Sequence, residues 1–166
     1  MSAETFTTAM FLITAVIAAG VLINAVFPVV YTMAGTFQSA THESDLRLRT
    51  DFKIVATYSN SSHANVWMKN IGSQRIAYTD IQKSDVFSGP VGNYARLTYA
   101  NEYPADLVNG QWTETLSDLN TNSYWDSGET LQVTAKFSSM PSSGDMVYFQ
   151  FVLPNGIWRS NEFTVS

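Results

Sequence analysis

The run Asp118-Leu-Asn-Thr-Asn-Ser-Tyr-Trp-Asp-Ser-Gly-Glu129 carries oxygen-bearing side chains at positions 1, 3, 5, 9 and 12 of a twelve-residue stretch. That is the ligand order of an EF-hand-type calcium loop, with the Tyr124 carbonyl available at position 7. Calcium takes several hard oxygens, so Asp118, Asn120, Asn122 and Asp126 can wrap an ion while Glu129 closes the cage with both carboxylate oxygens. The departure is Ser123 at position 6, where the sharp turn prefers glycine. The competing reading is a polar loop closed by Asx hydrogen bonds. An ion here would be structural, pinning a loop between strands, and no other cofactor is implied.

Other chemistry is sparse. Asn60-Ser61-Ser62 is the one N-x-Ser/Thr acceptor sequence, a glycosylation site if its turn is exposed outside the cell. His42 and His63 are the only histidines, no serine sits in a nucleophile motif, and no glycine-rich phosphate loop follows a strand. An enzyme is not expected. The absence of cysteine rules out disulfides and thiolate metal sites. A net charge of -5 with only nine Lys and Arg argues against nucleic acid, whose phosphates require a basic footprint.

The element that organises the chain is the apolar run from Ala9 to Tyr31, inside a stretch with no charged residue between Glu4 and Glu43. About 20 apolar residues span a bilayer core, so this segment reads as a membrane or assembly helix. A secretory signal peptide would carry basic residues first and a shorter apolar run; here no Lys or Arg precedes Thr5. Pro28 cannot donate to the Asn24 carbonyl, which predicts a helix kink. Ala15, Ala19 and Gly20 make a small-residue face for helix packing. Beyond Tyr31 the pattern turns amphipathic, with Val30, Met33, Phe37, Ala40, Ser44 and Leu48 on one stripe, of which Met33 and Phe37 are expected to pack against a partner. Glu43 with Arg47 and Asp45 with Arg49 lie four apart in the favourable order.

After Asp51 the period becomes that of strands. Phe52–Tyr58, Ala64–Gly72, Arg75–Gln82, Tyr94–Ala100, Thr130–Phe137 and Met146–Pro154 are short, β-branched and aromatic, and a last strand follows the Asn155-Gly156 turn. About seven strands predict an all-β immunoglobulin-like sandwich. Trp67, Tyr99, Trp112, Trp125 and Trp158 are expected to serve its core. The domain division is then an N-terminal helix and stalk over residues 1–50 and a sandwich over residues 51–166.

Several stretches together resemble archaeal type IV pilin-like proteins and archaellins, closest to the archaellum accessory proteins of the FlaG/FlaF type. They are Glu4–Tyr31, Ser44–Val55, Val66–Gly72, Trp125–Val133 and Pro154–Phe163. The resemblance implies a membrane-anchored sandwich outside the cytoplasmic membrane, contacting S-layer protein and a FlaF-type partner as a static element of the rotary motor. Torque needs a fixed reaction point. The same family also implies the alternative of an archaellin or pilin filament subunit, self-associating through N-terminal helices in a filament core. Such subunits are made with a short basic leader, a pattern from which this sequence departs. Arg47, Arg49 and Lys53 after the helix run against outside placement by the positive-inside rule, but whole domains translocate largely regardless of charge.

Overall fold

The computed structural model describes residues 3–166 and divides them into two compact units that meet between Ser44 and Asp45. The first is helical. Helix α1 spans Ala3–Arg49 and continues through Pro28; its 47 residues correspond to about 70 Å at 1.5 Å per residue. Among the described residues α1 buries none, and Phe11, Val16, Val21, Leu22 and Phe27 all face outward. Apolar side chains on every side of a helix call for lipid or other helices as their solvent. The hydroxyls of Thr7, Thr8, Thr14, Thr32, Thr36 and Thr41 each donate to the carbonyl four residues earlier, at 2.8–2.9 Å. Threonine polarity is thereby satisfied inside the helix, which lets it sit in an apolar medium.

The second unit is the sandwich. Its strands are β1 (Phe52–Ser59), β2 (His63–Asn70), β3 (Ile76–Ala77), β4 (Asp85–Pro90), β5 (Ala95–Tyr99), β6 (Gln111–Ser117), β7 (Tyr124–Trp125), β8 (Thr130–Lys136), β9 (Met146–Val152) and β10 (Trp158–Thr164), with a helical turn α2 (Tyr78–Gln82) after β3. The main sheet runs β1-β2-β8-β6-β5-β4-β9-β10, and β3 pairs with β7. Every neighbour is antiparallel except β5 with β6, which run parallel over two residue pairs. The sheet folds over so that β1 faces β9: Phe52 meets Phe151 edge-on at 5.6 Å between centroids, and Trp125 at 5.7 Å. Trp112 packs edge-on against the same Phe151 from β6. Each fully buried aromatic or aliphatic side chain of this kind contributes about 1.5–3 kcal/mol.

Arg75–Gln82, expected as a strand, is corrected to a two-residue β3 followed by α2. The reason is that Ile81 is the one buried residue of Tyr78–Gln82. A single helical turn buries one apolar anchor, whereas a strand would bury alternate residues. The Ser84 hydroxyl bonds the Asp80 carbonyl at 2.9 Å and closes that turn. Of the expected core aromatics, Trp112 and Trp125 are buried, Trp67 and Tyr99 are half-buried, and Trp158 lies exposed on edge strand β10.

Candidate functional site

An α-helix ends with carbonyls that lack intrahelical partners, and where α1 stops they are met by Thr50, the next residue, and by the loop after β2. The Thr50 amide and hydroxyl both bond the Leu46 carbonyl, at 3.0 and 2.7 Å. The Arg49 carbonyl accepts the Gln74 amide at 3.1 Å, and the Asp51 carbonyl accepts both Ile71 and Gly72 amides at 3.0 and 2.9 Å. The loop after β2 can come this close because residue 72 is glycine. A Cβ there would lie 2.3 Å from the Arg49 carbonyl oxygen and 2.6 Å from the Asp51 nitrogen. Arg159 of β10 pairs with the Asp51 carboxylate and lies over the Phe52 ring. The chain leaving α1 is thus tied to the loop after β2 and to edge strand β10.

Asn70 joins this clamp to the Asp118–Glu129 loop. It is fully buried; its Nδ2 donates to the Gln74 carbonyl at 3.0 Å and the Trp125 carbonyl at 2.8 Å, and its Oδ1 accepts the Gly72 amide at 3.0 Å. Its backbone bonds Glu129 and Gly128, at 3.1 and 2.8 Å. Within the loop, Asp118 accepts amides from Asn120, Thr121 and Ser123, while Asn120 and Asn122 both donate to Asp126 Oδ2, at 2.8 and 2.7 Å. Asn122 Oδ1 accepts the Tyr124 amide, and the Glu129 carboxylate takes the Leu119 and Asp126 amides. Desolvation alone pushes the Asp118 carboxyl up, but the amides of Ser123, Thr121 and Asn120 outweigh it and hold the group below its ordinary value. Hydrogen bonds from Asn120 and Asn122 do the same for Asp126. The candidate ligands do converge on one loop, yet its own N–H groups engage their oxygens, and among the described residues no group of three His, Cys, Asp or Glu is placed to hold a metal.

A second polar cluster lies under α2. Glu114 on β6 points inward on the same face as Trp112; its Oε1 accepts the Tyr99 hydroxyl at 3.0 Å and Gln82 Nε2 at 3.5 Å, while Oε2 is buried without a partner among the described residues. Burial, then the nearby Glu114 carboxylate, pushes Tyr78 up to about 12. Burial and the Glu114 charge raise Tyr99 as well. The remaining sequence-level candidates lie elsewhere. Asn60 occupies the turn between β1 and β2, and Ala15, Ala19, Gly20, Pro28, Met33 and Phe37 lie along the exposed surface of α1. Asn70, Gly72 and Arg159 were not singled out by sequence; the available signal was an Asn-x-Gly directly after a strand.

A long apolar helix whose last carbonyl is bonded by the sandwich describes a structural part. The profile of archaeal-type flagellin matches residues 3–163, nearly the whole chain. The chain belongs to the archaeal-type flagellin family. As a family member it is a structural component of the archaellum, placed in the cell envelope or the filament. A protein of Archaeoglobus fulgidus, described only as uncharacterised, is 28% identical over 170 residues, spanning 98% of each chain. The archaellum periplasmic stator protein FlaG of Sulfolobus acidocaldarius is similar at 26% identity and a TM-score of 0.52, over 69% of this chain and 99% of that one. In its complex with FlaF the values are 25% and 0.52, over 68% and 87%. The archaeal flagellum of Methanospirillum hungatei shares the fold at a TM-score of 0.68 over 97% of this archaeal-type flagellin and 93% of its own chain, at 14% identity.

Proposed function

We propose that residues 1–50 anchor the sandwich of residues 51–166 outside the cytoplasmic membrane, where it serves as a stator element of the archaellum, bearing on S-layer protein beside a FlaF-type partner. The observation that carries this reading is the clamp where α1 ends: the Arg49 and Asp51 carbonyls are both bonded by the loop after β2, an attachment that suits a part that transmits force without turning. Likeness to the FlaG stator protein supports it. The role is mechanical and involves no catalysis. A second reading, a filament subunit whose helices pack in a core through Ala15, Ala19, Gly20, Met33 and Phe37 with a bend at Pro28, is favoured by the wholly exposed apolar surface of α1. Electron microscopy of the full-length chain, paired with S-layer pull-down in detergent, separates the two. Small particles that capture S-layer protein support the stator; long regular filaments with no S-layer capture overturn it.

Structural calcium in the Asp118–Glu129 loop belongs to the same proposal. Its support is the spacing of oxygens and the left-handed backbone of Thr121 and Ser123, φ 58° and 63°, at the fourth and sixth positions where such a loop must turn. Melts of the full chain with calcium and with chelator test it. A Tm raised by calcium in the wild type but not in Glu129→Gln supports the ion, and identical melts exclude it.

A further inference from the structure

We propose that the outer face of the sheet half β1-β2-β8-β6 binds an acidic polysaccharide, a strand of carboxylated sugar rings. Such a face would serve an anchored chain and a filament subunit alike. Alternate residues of a strand share a face, so the buried Phe52, Val66, Met68, Leu131 and Val133 fix which positions look outward. Lys53 and Lys69 are two of these, both exposed and directly opposite one another across β1 and β2. Like charges so placed repel, and an anion set between them turns the repulsion into attraction. Among the described residues, no outward position of the four strands carries Asp or Glu, although the chain has a net charge of -5. The flanking carboxylates of Asp118 and Glu129 accept amides of their own loop. This face is therefore a local cationic field on an acidic protein, and its complement is a polyanion.

The side chains beside the lysines select a sugar among polyanions. Trp67 is half-buried on this face, and its cross-strand partner is exposed Ala56, whose methyl leaves the indole open toward edge strand β1. An indole is an apolar platform for the C–H face of a sugar ring, and polar groups around it suit the hydroxyls. Gln132 stands opposite Trp67 on β8; Asn65 Oδ1 accepts Gln132 Nε2 at 3.3 Å and the Thr134 hydroxyl at 2.8 Å. Those bonds fix both amides and leave Asn65 Nδ2 and Gln132 Oε1 without a partner among the described residues, one donor and one acceptor beside the ring. Trp67 and Lys69 are two residues apart on one strand face, about 7 Å, so a ring stacked on the indole brings its carboxylate within reach of the ammonium groups. An acidic polypeptide would meet the lysines and leave the indole and both amides unused. The other half of the face is walled off. Thr113 and Thr134 look outward yet are buried, because the loop after β5 lies over them, its Glu102 and Leu107 carbonyls accepting the Thr113 hydroxyl at 3.0 Å and Lys136 Nζ at 2.6 Å.

The test is isothermal titration calorimetry of the full chain in detergent and chelator, with hexagalacturonate as the probe. Neutral maltohexaose, of the same length, and poly-glutamate serve as comparisons. Hexagalacturonate is expected to bind, more weakly at high salt, and maltohexaose not to bind. Affinity should fall about tenfold in the chain carrying both Lys53→Ala and Lys69→Ala, and about tenfold in Trp67→Ala. Lys83→Ala, at an exposed lysine after α2, should leave it unchanged. Trp67→Phe keeps a ring on the face and should stay within about threefold of the wild type, which separates loss of the platform from loss of the fold. A wild-type chain that binds no hexagalacturonate, or binds maltohexaose equally well, overturns the inference. Poly-glutamate bound as tightly as the sugar, with Trp67→Ala unaffected, overturns it too and assigns the face to an acidic polypeptide.

Discussion

Gly72→Ala is the sharpest probe of the clamp. The added Cβ would stand 2.3 Å from the Arg49 carbonyl oxygen, 2.6 Å from the Asp51 nitrogen and 3.2 Å from the Thr50 carbonyl carbon, all backbone atoms. Non-bonded heavy atoms settle near 3.5 Å, so the loop and the helix end must separate by about 1 Å. That opening breaks or stretches the bonds from Ile71 and Gly72 to Asp51 and from Gln74 to Arg49. Three such bonds are worth about 1.5–4.5 kcal/mol together, and overpacking costs about 1–3 kcal/mol. These describe one event and do not add, so a loss of about 2–4 kcal/mol follows. At roughly 3–5 °C per kcal/mol for a unit of this size, thermal unfolding of the full chain in detergent should fall by about 10 °C. Gly20→Ala, whose Cβ meets nothing within 4 Å, is the control and should leave the sandwich transition unmoved. A Gly72→Ala chain melting within a degree or two of wild type would refute the close approach and with it the clamp.

Three further outcomes are expected. Asn70→Ala strands the buried groups that its side chain serves and should lower stability by about 2–4 kcal/mol in urea unfolding, with the loop around Trp125 loosened in the fluorescence of that residue. Arg159→Ala removes a half-exposed ion pair and should cost no more than about 1 kcal/mol, less at high salt, in the same urea assay. Tyr78 and Tyr99 hold their protons above the ordinary tyrosine value of about 10, whereas the unfolded chain loses them there. The folded state then binds more protons, so stability must fall as pH rises from about 10 towards 12. Tyrosinate absorbance should show two late-titrating groups, brought earlier in Glu114→Gln; simultaneous ionisation of all tyrosines counts against this cluster.

The helix and most of the sandwich were legible because each obeys one period. α1 is uncharged and largely apolar over Ala9–Tyr31, and β1, β2, β8 and β9 alternate or run apolar between turn residues. β6 escaped notice because Glu114 occupies an inward position between Trp112 and Leu116, so the apolar alternation reads as broken where the strand is most buried. β4 ends in Ser-Gly-Pro, a turn signature that here lies inside a strand paired with β9. The clamp was hidden for a different reason. Gly72 looks like any loop glycine; its requirement comes from Arg49 and Asp51, some twenty residues earlier, brought within a Cβ radius by the fold.

The Asp118–Glu129 loop shows how one residue pattern serves two chemistries. Alternating Asp and Asn supply oxygens for an ion, and the same side chains supply acceptors and donors for Asx turns. Here Asp118 gathers three loop amides and Asp126 gathers two side-chain amides. The loop therefore reaches a closed shape by itself, and Asn70 ties that shape to the end of α1 through the Trp125 carbonyl. Any ion entering the loop would stiffen it next to Asn70, whose side chain also accepts the Gly72 amide. Calcium and the Gly72→Ala substitution should consequently act on one cooperative unit: if calcium binds, its gain in Tm should shrink in Gly72→Ala, and equal gains in both chains would show that loop and clamp are independent.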